Sequence, residues 1–361
     1  MSNLIPEANI PISITNRAKN PLNHIETTLK EEVIGQDSAI VAILNSLLRA
    51  STGLRDTDRP IATLFFSGPS GVGKTETVRA LAKAIHNNPK ACIKVDCSEY
   101  SEGHTISKLI GSPPGYMGSD LPVVLDKQEI EGRNWNIILF DEIEKGHTSL
   151  HNLLLQIMDE GVVTLSRRTK GNDAKVNFSS TLLVMTSNVG SRKVSEVLED
   201  QHIGFKRKEN YQALTQMVNQ EVQKEIEKHF SPEFRNRVSD FVIFHPLSGD
   251  SLLKVLEKHL NQISSRCATK GFALHLSDKA KTYLIQKGTN LELGARPLLH
   301  LVEKEVEAKI AEYYALGEIQ AGDYIVGDLD HSEIVFRRAE RMSITVNADF
   351  STLGNNDPPK G

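Results

Sequence analysis

Residues 62–75, Ala-Thr-Leu-Phe-Phe-Ser-Gly-Pro-Ser-Gly-Val-Gly-Lys-Thr, constrain this chain more than any other stretch. Leu64, Phe65 and Phe66 form an apolar run of strand type, and Val78, Leu81, Ala82 and Ile85 recur behind it at helical spacing. Between the two lies G-x-x-x-x-G-K-[ST], with Gly68, Gly73, Lys74 and Thr75 in the fixed places. Polyphosphate chemistry calls for these residue types. Glycines let the backbone curl until its N–H groups point inward at phosphate oxygens. The helix that follows adds the positive end of its dipole. Lys74 supplies a point charge to the terminal phosphates, and the Thr75 hydroxyl is a magnesium ligand.

The rest of the chain repeats a strand–helix alternation. Further strands are expected at Cys92–Asp96, Asn136–Asp141, Ser180–Thr186 and Phe241–Phe244, with a long amphipathic helix over 210–229. Nearly continuous apolar strands joined by helices predict a parallel sheet covered on both faces, of α/β class. Residues 161–178 read as a hairpin or long loop. From about 247 the pattern becomes mainly helical, with helices at 249–269, 277–287 and 297–315 and two short strands near 323–326 and 333–336. The expected division is a flexible arm over 1–24, a large domain over 25–246, a small domain over 247–340 and a disordered tail over 341–361.

A second acidic motif follows the phosphate loop. Ile137-Ile138-Leu139-Phe140 leads directly into Asp141-Glu142. A buried strand ending there would set Asp141 beside a magnesium shell and face Glu142 to the attacking water as general base. A strand ending in Asp-Glu means little alone; downstream of a phosphate loop it becomes a strong signal. Asn188 closes the next strand, where an amide can orient water, sense the terminal phosphate, or simply turn the chain. Arg237 and Arg296 are candidate charge stabilisers, although lone arginines more often sit in surface pairs.

From about residue 27 to 337 the chain resembles the second ATPase module of Clp-type AAA+ proteins (ClpA, ClpB, ClpC). Val33-Ile34-Gly35-Gln36 is similar to the family's adenine-side box. Gly68, Pro69, Ser70, Gly71, Val72, Gly73, Lys74, Thr75 and Glu76 are similar to its phosphate loop. Phe140-Asp-Glu-Ile-Glu-Lys145, Met185-Thr-Ser-Asn188, Phe230-Ser-Pro-Glu-Phe-Arg-Asn-Arg237 and Leu293-Gly-Ala-Arg-Pro-Leu298 continue the match in order. The resemblance implies a five-stranded AAA+ sheet between helices, with a smaller helical C-terminal domain carrying a short β element. It implies ATP and Mg2+ as cofactors, held by the loop, by Val33 and Ile34 on the adenine side, and by Thr75 and Asp141 as metal ligands. Glu142 would be the catalytic acid and Asn188 the first sensor. Arg237 would reach a neighbouring subunit's nucleotide, which requires a ring, usually a hexamer. Arg296 would contact nucleotide in its own subunit. Tyr116 and Met117, in Gly-Tyr-Met-Gly, would grip polypeptide in a central pore. Ile203-Gly204-Phe205 is similar to a loop that docks a ClpP-type protease.

The chain also departs from the family. It reads as a stand-alone single module, without an N-terminal domain, a first ATPase module or a coiled-coil insertion. Ser119-Asp-Leu-Pro-Val-Val124 replaces the acidic run and glycine pair that usually follow the pore aromatic. The function expected is ATP-dependent unfolding or remodelling of polypeptide clients; the alternative is a nucleotide-switched adaptor that binds one partner without threading it. A net charge of −4 creates no global field for DNA or an anionic membrane. Three scattered cysteines and a polar N-terminus without a signal-like core point to the cytoplasm.

Overall fold

The computed structural model describes residues 22–339, apart from 54–55, 113–114, 116–120, 167–174, 192, 194–210 and 291–292. The chain forms two compact units. One takes the chain up to Val255 together with Thr289–Pro297; the other takes Leu256–Gly288 and the chain from Leu298 onward.

The first unit is built on a five-stranded sheet. Its strands are β1 (Ala62–Ser67), β2 (Cys92–Asp96), β3 (Asn136–Asp141), β6 (Thr181–Ser187) and β7 (Asp240–Ile243), in the order β2-β3-β6-β1-β7. Every pairing is parallel, as the near-continuous apolar runs predict. Alternate side chains serve opposite faces. Leu64 and Phe66 of β1 join Ile137 and Leu139 of β3 and Leu182 and Val184 of β6 on one face. There they meet Leu29, Ile40, Ile43 and Leu47 from helices Asn23–Glu32 and Asp37–Ser51, and Val78 and Leu81 from helix Lys74–His86. Phe65, Ile138, Phe140, Leu183 and Met185 pack on the other face against Leu150, Leu154 and Ile157 of helix Thr148–Glu160 and Val222 and Ile226 of helix Tyr211–His229. Two of the expected strands fall one residue away from their sequence-based bounds.

The strand order matters most for function. β6 lies between β1 and β3, so the end of β6 falls between the phosphate loop and the Asp-Glu pair. A short antiparallel hairpin, β4 (Val162–Thr164) with β5 (Lys175–Asn177), follows helix Thr148–Glu160 at the place where a hairpin is expected.

The second unit carries helix Asp278–Gly288 and, from Leu298 onward, the rest of helix Arg296–Val302 followed by Glu303–Glu307, a π turn, and Ala308–Ala315. Its sheet has three strands, β8 (Ala273–Leu276), β9 (Tyr324–Asp330) and β10 (Glu333–Ala339), in the order β10-β9-β8. β9 and β10 form an antiparallel hairpin whose turn residues His331 and Ser332 both take positive φ, the conformation a tight two-residue hairpin turn demands. β8, which pairs parallel to β9, is absent from the sequence-based expectation. Among the described residues no helix is long and apolar enough to cross a membrane.

Candidate functional site

The phosphate loop leaves β1 after Ser67 and enters helix Lys74–His86 through Gly73, which sits in the left-handed region. Two glycines are required by contact. A Cβ on Gly68 would lie 2.4 Å from the carbonyl oxygen of Phe244, and one on Gly71, at φ +70°, 2.1 Å from that of Leu293. Backbone cannot yield there as a side chain could. The loop is tied from outside as well. Gln36, fully buried, donates through Nε2 to the carbonyl oxygens of Val72 (3.1 Å) and His245 (2.8 Å), and its Oε1 accepts from the His245 N–H. The Val33–Gln36 box therefore holds the loop through Gln36. Val33 itself is buried and Ile34 half-buried.

Lys74 is the centre of the site. Its ammonium donates to the carbonyls of Gly68 (2.6 Å) and Pro69 (2.8 Å) and to Oδ1 of Asn188 (2.9 Å). Burial pushes its pKa down to about 8, against the pull of Glu144, Asp141 and Glu142, while the charge of Arg296 adds to the depression. Asn188 carries the link onward: its Nδ2 donates to Oε1 of Glu142 (3.1 Å), and its backbone N–H to Oε1 of Glu144 (2.9 Å). An ammonium only donates and a carboxylate only accepts, so these two neighbours fix which way the amide points. Lys74, Asn188 and Glu142 thus form one chain of contacts across β1, β6 and β3.

The acid pair is held at the end of β3. Asp141 accepts from the Thr186 hydroxyl through Oδ1, and its Oδ2 lies 2.7 Å from Lys94 Nζ. Thr75 Oγ1 stands 3.4 Å from the same Asp141 Oδ1. A hydroxyl and a carboxylate facing each other are hard oxygen donors that fit magnesium, which takes few protein ligands and fills its shell with water and phosphate. Glu142 takes φ 57°, a conformation unusual for a non-glycine residue, and its N–H donates to Thr186 Oγ1 at 3.1 Å. Its second carboxylate oxygen accepts from Lys145. No group of three or more His, Cys, Asp and Glu side chains suited to a metal occurs among the described residues.

The remaining expected residues fall in different places. Arg296 opens helix Arg296–Val302, on the Thr289–Pro297 segment that belongs to the first unit. That segment packs on the loop: the Ala295 N–H donates to the Gly71 carbonyl at 3.1 Å. Arg237 ends helix Pro232–Arg237 and pairs through Nε with Asp159 Oδ1 at 2.7 Å, and not with Lys74, Asp141 or Glu142. Glu76 pairs with Arg79 at 3.3 Å. Tyr116 and Met117, and the Ile203-Gly204-Phe205 tripeptide, lie outside the described residues. Sequence reasoning did not single out Thr186, Lys94, Glu144, Lys145 or the bridging role of Gln36. Thr186, Glu144 and Lys145 lie inside the family-like stretches 140–145 and 185–188, which is the signal that could have found them.

Comparison with known proteins agrees with this geometry. Residues 59–241 match the family model described as AAA domain (Cdc48 subfamily), and residues 247–326 match the C-terminal, D2-small domain, of ClpB protein. The chain is 37% identical over 335 residues to the negative regulator of genetic competence ClpC/MecB of Bacillus subtilis, covering 92% of this chain and 40% of that protein. It is 38% identical over 332 residues to the ATP-dependent Clp protease ATP-binding subunit ClpA homolog of Cyanidium caldarium, covering 90% and 38%. It is 37% identical over 338 residues to the ATP-dependent Clp protease ATP-binding subunit ClpC of Staphylococcus aureus, covering 93% and 40%. The chain thus spans about 40% of the length of the curated relatives it matches. The phosphate loop, the Asp-Glu strand beside it, the intervening Asn188 and both family matches place this chain in the AAA+ family, with the module of Clp-type ATPases.

Proposed function

We propose that this chain hydrolyses ATP within a ring of its own copies and uses the cycle to remodel polypeptide. The observation that carries the proposal is the Lys74–Asn188–Glu142 chain, which joins a phosphate-binding cation to a base through a single amide. Lys74 presents three donors now spent on loop carbonyls and Asn188; phosphate oxygens are the stronger acceptors for them. Glu142, at the strand end, accepts the proton of the attacking water, and Asn188 keeps it oriented. Thr75 and Asp141 would hold magnesium, whose charge would stabilise the phosphate oxygens. Arg296 adds positive charge from the same chain. Arg237, which pairs with Asp159 and not with the cluster, would complete a neighbour's site.

Tyr116 and Met117 would grip the client, and Ile203-Gly204-Phe205 would dock a ClpP-type protease, as the resemblance of these segments suggests. Two relatives are named as ATP-binding subunits of Clp protease, which supports such a partner. Three free cysteines suit work in a reducing cytoplasm. The test is electron microscopy of Glu142→Gln with ATP and an unfolded protein. A ring with density along its axis is expected; particles that stay single-chain, or rings that never hold polypeptide, would contradict the reading.

A further inference from the structure

We propose that Asp159 is a positioning residue for Arg237, holding its Nε so that the far end of the guanidinium is presented to a nucleotide on a neighbouring copy. The proposal rests on the reading that Arg237 acts in trans. It starts from how one arginine is held.

A guanidinium has five N–H donors in a rigid fork, one on Nε and four on the two terminal nitrogens. Nε of Arg237 is itself buried and lies 2.7 Å from Asp159 Oδ1, an ion pair and not an aligned hydrogen bond. Yet 34% of the side chain is exposed, so the open part lies elsewhere along it. The terminal nitrogens have no partner among the described residues. Arg235, two residues earlier, supplies the contrast. It spends a terminal nitrogen on Glu227 at 3.1 Å, as an ordinary in-chain pair does. Arg237 is bound at the inner nitrogen, which leaves the phosphate-matching end of the fork unspent.

Both partners stand on fixed backbone. Asp159 lies in the last turn of helix Thr148–Glu160, which stops at Gly161. Gly161 has φ +60°, and a Cβ there would lie 1.9 Å from the Asp58 carbonyl oxygen. The helix end is therefore seated against the Asp58–Arg59 backbone, and Arg59 Nη2 comes within 3.6 Å of the same Asp159 oxygen. Helix Pro232–Arg237 is pinned at its start, where the Ser231 hydroxyl accepts from the Phe234 N–H at 3.2 Å. Phe234 is buried and stacks on Phe230 with centroids 5.3 Å apart. A side chain anchored at its root and at Nε has few ways left to place its tip, and that restriction is what a charge acting across an interface needs.

The test uses the full chain and follows ATP turnover, KM, binding of a non-hydrolysable ATP analogue, and thermal melting. Asp159→Asn is expected to lower kcat roughly tenfold, within the range that coupled neighbours show. KM, analogue binding and melting should stay close to wild type. Asp159→Glu, which keeps the charge, should recover part of the loss. In an Arg237→Ala background, Asp159→Asn should slow turnover no further. In an Arg237→Lys background it should also add nothing, since lysine has no inner nitrogen to hold. An equal loss in all backgrounds would show a structural role and overturn the proposal. Unchanged or faster turnover in Asp159→Asn, with Arg237→Ala still slow, would overturn it while leaving Arg237 in its role. Full turnover by Arg237→Ala would remove the reading beneath it as well.

Discussion

Around Lys74, charged groups answer to other groups of the same chain, whereas among the described residues Arg237 meets a partner at its inner nitrogen alone. Lys74 is held by two carbonyls and Asn188, Asp141 by Thr186 and Lys94, and Glu142 by Asn188 and Lys145. Mutual satisfaction of that kind keeps geometry at low cost in reorganisation, which is what a charge-stabilising site requires. The region around Arg237 is anchored through Asp159, with part of the side chain exposed. On the proposed reading, the contrast means that binding and the base are supplied within one chain, while Arg237 stabilises charge on a neighbouring one.

Removing the hub of the inner cluster should have the largest effect. Lys74→Ala takes away a buried ammonium and leaves Asn188 and two carbonyls unserved, so nucleotide binding should weaken by about 2–5 kcal/mol. Calorimetric titration with ATP checks this. Glu142→Gln should separate the cluster's two jobs: it keeps the Asn188 contact but cannot take a proton. Turnover should fall by about 10²–10⁴ while ATP binding persists, as single-turnover and binding measurements would show. Equal loss of binding in both variants would break the view that the cluster divides its work.

Arg296 tests the boundary between the two regions. Its segment is bonded to the phosphate loop, and its charge already depresses the Lys74 pKa. Arg296→Ala should therefore weaken nucleotide binding in its own chain, and mixing with another variant should not repair that chain's site. A smaller effect follows from the ammonium itself. With its pKa near 8 in the free protein, Lys74 is charged below that pH and neutral above it. Bound phosphates favour the charged form, so binding takes up a proton at high pH. ATP affinity should be flat below about pH 8 and fall by up to tenfold per unit above it. Arg296→Ala, by relieving repulsion, should move that fall to higher pH; a shift to lower pH would contradict the arrangement.

What the amino-acid sequence made legible was local. The strand bearing Leu64, Phe65 and Phe66, the loop after it, and the Asp141-Glu142 strand end announce themselves by apolar runs and residue type. Asn188 was visible as an amide after a strand, but its place between Lys74 and Glu142 depends on β6 lying between β1 and β3, and strand order is not written in one sequence. Gln36 and His245 meet only through the fold, as do Asp159 and Arg237. β8 escaped notice because it is four residues long and alternates buried with exposed positions, too brief a pattern to stand out from its surroundings.

The central claim is that an Arg237 from one chain completes the Lys74–Asn188–Glu142 site of another. It is tested most directly by measuring ATP turnover in mixtures of Arg237→Ala and Lys74→Ala chains. An arginine supplied in trans is worth about 10³–10⁵ in rate in well-studied phosphoryl transfer, so each variant alone should be nearly inactive. In the mixture, an intact site on an Arg237→Ala chain can meet an intact Arg237 on a Lys74→Ala chain. The account predicts that turnover reappears on mixing and rises with total protein concentration. No recovery at concentrations where the chains co-assemble, or full activity of wild type as a dilute single chain, would contradict it.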